Sequence, residues 1–69
     1  MKITNEQLDV LTRVTDLMLA MCPEMRKGQC LFNALYKLYP EIANDIRGTD
    51  NDCFYDDSKI SNLFKYLGN

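Results

Sequence analysis

The chain has 69 residues, of which 46% are apolar and 26% charged, with a net charge of −2 and no histidine. That is enough for one globular domain, 1–69, and too little for two, and the composition is that of a packed chain, not a disordered one. No apolar run approaches the eighteen residues of a membrane-spanning helix, and without histidine neither a Ser–His nor a Cys–His nucleophilic pair can form.

The first predicted element is an amphipathic helix from about Asn5 to Met21. Leu8, Leu11, Val14, Leu17 or Met18, and Met21 recur at steps of three and four, the spacing of one helical face. Thr4 followed by Gln7 fits a capping box, with Ile3 as the apolar residue before it. Val10 widens the apolar face, as expected of a helix packed between two others. Asp9 and Arg13 are spaced i,i+4 on the outer face. Pro23 ends the helix, because the residue before a proline is pushed out of the helical region.

A second helix is predicted to begin between Glu24 and Gln29 and to run to about Tyr39. Cys30 or Leu31, Ala34, Leu35 and Leu38 form its apolar stripe, flanked by Phe32, Tyr36 and Tyr39. Gly28 would cost about 1 kcal/mol inside a helix, which places it in the first turn or at a close approach of another segment. Pro40 then opens a short helical turn, PEIANDIR, with Ile42, Ala43 and Ile46 inward and Gly48 as its stop. A single kinked helix over 29–47 is the alternative. Residues 49–57, TDNDCFYDD, form a loop in which Phe54 and Tyr55 fold back over the core. Asp57 or Ser58 caps a last helix to about Leu67, with Ile60, Leu63, Phe64 and Leu67 inward. The predicted fold is all-α: a compact three-helix bundle with a short extra helical turn after Pro40. Its core is Leu11, Val14, Leu31, Leu35, Leu38, Ile46, Phe54, Ile60, Leu63 and Leu67.

Charge is unevenly spread. Residues 1–37 hold five basic and four acidic side chains, for +1, and residues 38–69 hold three and six, for −3. Such a chain starts poorly as a binder of nucleic acid, whose affinity comes mainly from neutralised phosphates. The aspartates of the loop do not make a calcium loop. Phe54 stands at the third alternating ligand position, Tyr55 where the sharp turn needs glycine, and Ser61 where the bidentate glutamate belongs. Cys22, Cys30 and Cys53 are odd in number and lack a CxxC spacing, so packing thiols in a reducing cytoplasm are expected instead of a disulfide framework or a zinc site. Glu6 and Asp9 fall where a secretory leader needs its apolar core. No enzyme, cofactor or metal is expected.

Arg26 and Lys27 sit at a predicted helix start, where positive charge opposes the helix dipole. Such a placement calls for carboxylates nearby: Asp16, Asp52 or Asp56 could meet the charge, and in the loop Asp52, Asp56 and Asp57 need compensation. The expectation is that Arg26 is joined to the DCFYDD loop by an ion pair or hydrogen bonds, with Tyr55 packed nearby. The residues that could contact a partner are Arg26, Lys27, Gln29, Asn33, Tyr36, Asp52, Tyr55 and Asp56.

The residues Arg26, Gly28, Gln29, Leu31, Asn33, Ala34 and Leu35, followed by Asp52, Phe54, Tyr55 and Asp57, make a pattern RxGQxLxNAL…DxFYxD. It resembles small proteins of phages and prophage-bearing bacteria, over roughly residues 23–67. The resemblance implies a fold and an origin and carries no activity. Cys30 and Cys53 depart from that pattern, which argues against a shared thiol chemistry. Three functions follow as expectations. The first is a phage-type accessory protein in the host cytoplasm, acting through protein–protein contact and blocking a host defence or regulatory factor. The second is a helix-turn-helix-like DNA-binding regulator that reads bases with Gln29 and Asn33. The third is a structural or assembly protein that self-associates as a homodimer, since Met18, Met21, Met25, Phe32, Tyr36 and Tyr39 exceed what one small core readily hides.

Overall fold

The computed structural model of the protein describes residues 2–68. It is all-α, with no strand among the described residues. Helix α1 spans Asn5–Met21, α2 Lys27–Leu38, α3 Pro40–Ile46 and α4 Ile60–Gly68, with a 3-10 turn at Asp57–Lys59 leading into α4. The molecule measures 30 × 25 × 19 Å.

Local sequence explains each boundary. The Gln7 amide donates to Thr4 Oγ1 at 3.0 Å, and the Thr4 amide donates to Gln7 Oε1 at 2.8 Å. That reciprocal capping box starts α1 where its Thr-x-x-Gln spacing predicts. Cys22, before Pro23, leaves the helical region and ends it. Tyr39, at φ −138° and ψ 71°, breaks the chain between α2 and α3, so 29–47 is two helices and not one kinked helix. Pro40 occupies the first position of α3, where its missing N–H is harmless. Gly48 follows α3 at φ 76°, the left-handed conformation that favours glycine.

The cap before α4 differs from the one expected. Asp56, not Asp57 or Ser58, accepts from the Ser58 amide at 2.9 Å and from the Ser58 hydroxyl at 2.6 Å. These bonds hold the Asp56 carboxyl below the usual carboxylate range, the Ser58 hydroxyl contributing most. At the other end of α4, the Lys2 and Ile3 amides donate to the Leu67 carbonyl at 2.7 and 3.2 Å, and Ile3 is buried.

α1 packs most extensively on α2, and α2 also receives α3. Leu11, Leu31, Leu35, Ile46, Leu63 and Leu67 are fully buried, together with Cys30, Cys53, Ala34 and Ala43. Val14, Leu38, Phe54 and Ile60 are only partly buried and pack on the edge of this cluster. Thr15 is buried and its hydroxyl donates to the Leu11 carbonyl at 2.8 Å, so no polar atom is stranded there. Two expectations fail. Tyr55 does not fold back over the core but is 84% exposed, and Val10, Leu17 and Met21 point outward at 47%, 62% and 77%. The second failure has one cause: α1 contacts both α2 and α4, but the two leave Val10, Leu17 and Met21 uncovered, so only part of its wide apolar arc is buried.

Candidate functional site

The pattern from Arg26 to Asp57 divides into a clasp and a groove. The clasp begins at a helix start that its own sequence leaves uncapped, since Arg26 at the N-cap has no side-chain acceptor and makes no capping bond. Asp57, twenty-nine residues downstream, supplies the acceptor: the Gly28 amide donates to its Oδ1 at 3.0 Å. A carboxylate placed there complements the positive end of the α2 dipole. The same oxygen lies 3.7 Å from Arg26 Nε, and the Arg26 guanidinium also donates to the Phe54 carbonyl. Arg26 is thus joined to the acidic loop as expected, and of the loop carboxylates named for it Asp57 is the one it meets.

Gly28 makes this approach possible. It is buried in the first turn of α2. A Cβ placed on it would stand 2.7 Å from Asp57 Oδ1 and well inside contact distance of the Cys53 carbonyl oxygen. From below, the Cys53 thiol donates to the Gly28 carbonyl at 3.3 Å. Burial pushes the Cys53 thiol up to about 11, reinforced by the negative charges of Asp52 and Asp57 and opposed by a backbone hydrogen bond. Cys30 is raised as well, chiefly by burial and then by Cys22 and Asp57. Neither thiol has thiolate character, and both serve as packing groups.

The acidic loop is held from within. Asp52 accepts from the Gly48 amide through Oδ2 at 2.8 Å and from the Phe54 amide through Oδ1 at 3.0 Å. The Thr49 hydroxyl donates to the Ile46 carbonyl at 2.6 Å, and Asn62 Nδ2 donates to the Asp50 carbonyl at 3.1 Å, which ties the loop to α4. Among the described residues, no three Asp, Glu or Cys side chains gather as a metal-holding group.

The groove lies on the far side of this loop. It is a surface cleft of about 330 Å³ lined by Phe32, Asn33, Tyr36, Arg47, Asp52, Phe54 and Tyr55. Phe32 and Phe54 meet edge to face at 5.6 Å, and Tyr55 stacks edge-on against Phe54 at 4.7 Å. Arg47 spreads over two rings, its Cζ 5.5 Å from the Tyr36 centroid and 5.8 Å from that of Phe32. Tyr36 is 49% exposed, so the groove presents two accessible tyrosines and one arginine over an aromatic floor.

Of the eight sequence-predicted contact residues, the structure brings Asn33, Tyr36, Asp52 and Tyr55 together in this groove. Arg26 belongs to the clasp and Asp56 to the start of α4, while Lys27 is exposed and Gln29 half-buried outside the groove. Arg47 and Phe32 were missed as site residues. A signal for Arg47 existed: it is the single basic residue between Lys37 and Lys59, in the most acidic part of the chain. Compared with protein-family models, curated proteins and solved structures, the chain matches no family model, no curated protein and no solved structure.

Proposed function

We propose that this is a phage-type accessory protein that binds another protein, from the host or the phage, through the Tyr36–Arg47–Tyr55 groove. We read it as a binding module and not an enzyme, acting in the host cytoplasm, with α1, α2 and α4 as a three-helix frame and α3 as a short addition. The observation that carries this reading is the exposure of two tyrosines and an arginine around one aromatic cleft. Tyrosine and arginine are the side chains over-represented among residues that dominate binding energy, because each combines a large apolar body with a polar tip. The clasp supports the same reading: it holds the loop that carries Tyr55 against α2, which lowers the ordering cost of binding. The helix-turn-helix reading is weaker. The α2 amide that would meet a phosphate already holds Asp57, and an aspartate-rich loop borders that end.

The test is affinity capture from host lysate with the wild-type chain and with the Tyr36→Ala, Tyr55→Ala double variant side by side. Both residues are exposed enough for the variant to keep its fold, checked by far-UV circular dichroism. A protein retained by the wild type and lost from the variant supports the proposal. Capture that is absent, or indifferent to the two substitutions, refutes it.

A further inference from the structure

On the proposed reading of the groove as the binding site, we infer that it recognises an acidic residue of the partner protein, an Asp or Glu side chain beside a bulky apolar one, and that Arg47 selects it. The ion pairs among the described residues are Arg13–Asp9 and Arg26–Asp57, and Arg47 is in neither. Its guanidinium lies instead over the rings of Tyr36 and Phe32, where it lines the cleft. A guanidinium carries five N–H donors in a planar fork that meets a carboxylate with two parallel bonds. Held over two rings, that fork is already placed, so less side-chain freedom is lost when an anion docks. The one carboxylate that lines the cleft does not serve it. Asp52 turns Oδ1 to the Phe54 amide and Oδ2 to the Gly48 amide, bonds that close its own loop.

The surrounding groups decide between a cation and an anion, and between one carboxylate and many. A cation would need open ring faces or a free carboxylate, but Arg47 already covers Phe32 and Tyr36, and Asp52 is engaged. A polyanion such as a nucleic acid would meet the −3 of residues 38–69, with Asp50 and Asp56 exposed on the loop. A single carboxylate in contact with Arg47 gains most from that one charge, since the attraction falls with distance and salt screens the aspartates it does not touch. The apolar neighbour follows from the floor of the cleft, where Phe54 joins Phe32 and Tyr55 edge to face beside the cation. Tyr36 and Tyr55, both exposed, add phenol O–H donors at the rim. At about 330 Å³ the cleft is at the lower end of ligand pockets, with room for a short pair of side chains and not for a long segment.

Selection from a random-sequence peptide display library, with the immobilised full chain as bait, tests this. Enriched peptides should carry Asp or Glu next to Leu, Met or an aromatic residue. One such peptide, blocked at both termini so that its side chain is the carboxylate, is then titrated calorimetrically beside its amide counterpart, Gln for Glu or Asn for Asp. The amide should bind at least about tenfold more weakly, the loss expected of a charge-assisted pair. Arg47→Gln should weaken the acidic peptide by a similar factor and abolish its advantage over the amide, a readout that a merely structural Arg47 would not move. Arg47→Lys keeps the charge without the fork and should fall between the two; it also serves as the second variant should Arg47→Gln lose its fold by far-UV circular dichroism. A library that enriches nothing, enrichment of basic or uncharged sequences, or an acidic peptide indifferent to Arg47 overturns the inference. If the enriched peptides still need Tyr36 and Tyr55, the groove stands and only the carboxylate falls. Peptides indifferent to the Tyr36→Ala, Tyr55→Ala substitutions remove the groove itself, and this inference with it.

Discussion

Gly28→Ala tests the clasp most directly. Replacing glycine by alanine within a helix ordinarily stabilises by about 0.5–1 kcal/mol, because alanine has less backbone freedom to lose. Here the added methyl would meet the Cys53 carbonyl oxygen and Asp57 Oδ1. The nearer of these is backbone and cannot swing aside as a flexible side chain would. Forcing a methyl into a closed contact costs about 1–3 kcal/mol. Moving the loop outward also lengthens the Gly28–Asp57 bond, which in this half-exposed position is worth about 1 kcal/mol. Weighed against the helix gain, the net loss is about 2 kcal/mol, a large share of the roughly 3–10 kcal/mol expected for a domain of this length. Urea unfolding followed by far-UV circular dichroism should show the midpoint falling by about 2 M, with a slope near 1 kcal/mol/M. Gly48→Ala offers a contrast, since its added methyl meets open space and its penalty of about 1 kcal/mol comes from the positive φ alone. A Gly28→Ala protein as stable as the wild type, or more so, would refute the clasp as a close-packed contact.

Asp57→Ala should destabilise by about 1–2 kcal/mol and Arg26→Ala by less than about 1 kcal/mol, because Asp57 caps α2 whereas the half-exposed ion pair is screened; equal effects in urea titrations would contradict that ordering. Leu35→Ala, at a fully buried site, should cost about 2–5 kcal/mol and leave much of the chain unfolded at 37 °C by circular dichroism, and a loss well under 1 kcal/mol would show that α2 is not central. Because the Cys53 thiol is raised from 9.0 to about 11 in the folded state, the neutral form is favoured by folding. Its contribution is therefore complete below pH 9 and is lost as the pH climbs toward 11, and the corresponding slope of stability against pH should flatten in Cys53→Ala. Alkylation at pH 8 read by mass spectrometry should modify the half-buried Cys22 well before Cys30 or Cys53, and fast labelling of Cys53 in the native protein would contradict its burial.

The helices, the cap of α1 and the breaks at Pro23, Pro40 and Gly48 were legible from residue order because their causes are local. Thr4 and Gln7 cap each other across one turn, Pro23 and Pro40 act on their immediate neighbours, and Gly48 supplies its own left-handed turn. The fully buried leucines followed from periodicity for the same reason. Periodicity alone could not tell which of the two stripes on α1 would be covered, since Val10, Leu17 and Met21 are as regularly spaced as Leu8, Leu11 and Met18. That choice rests on where α2 and α4 lie, a matter of long-range packing. The link between Arg26 and the acidic loop was legible from an unfavourable charge at a helix start. Its partner was not, because Asp50, Asp52, Asp56 and Asp57 are chemically equivalent along the chain. Only the fold sorts them: Asp52 closes its own loop, Asp56 starts α4, and Asp57 alone reaches the Gly28 amide, where the missing side chain of glycine leaves room for it.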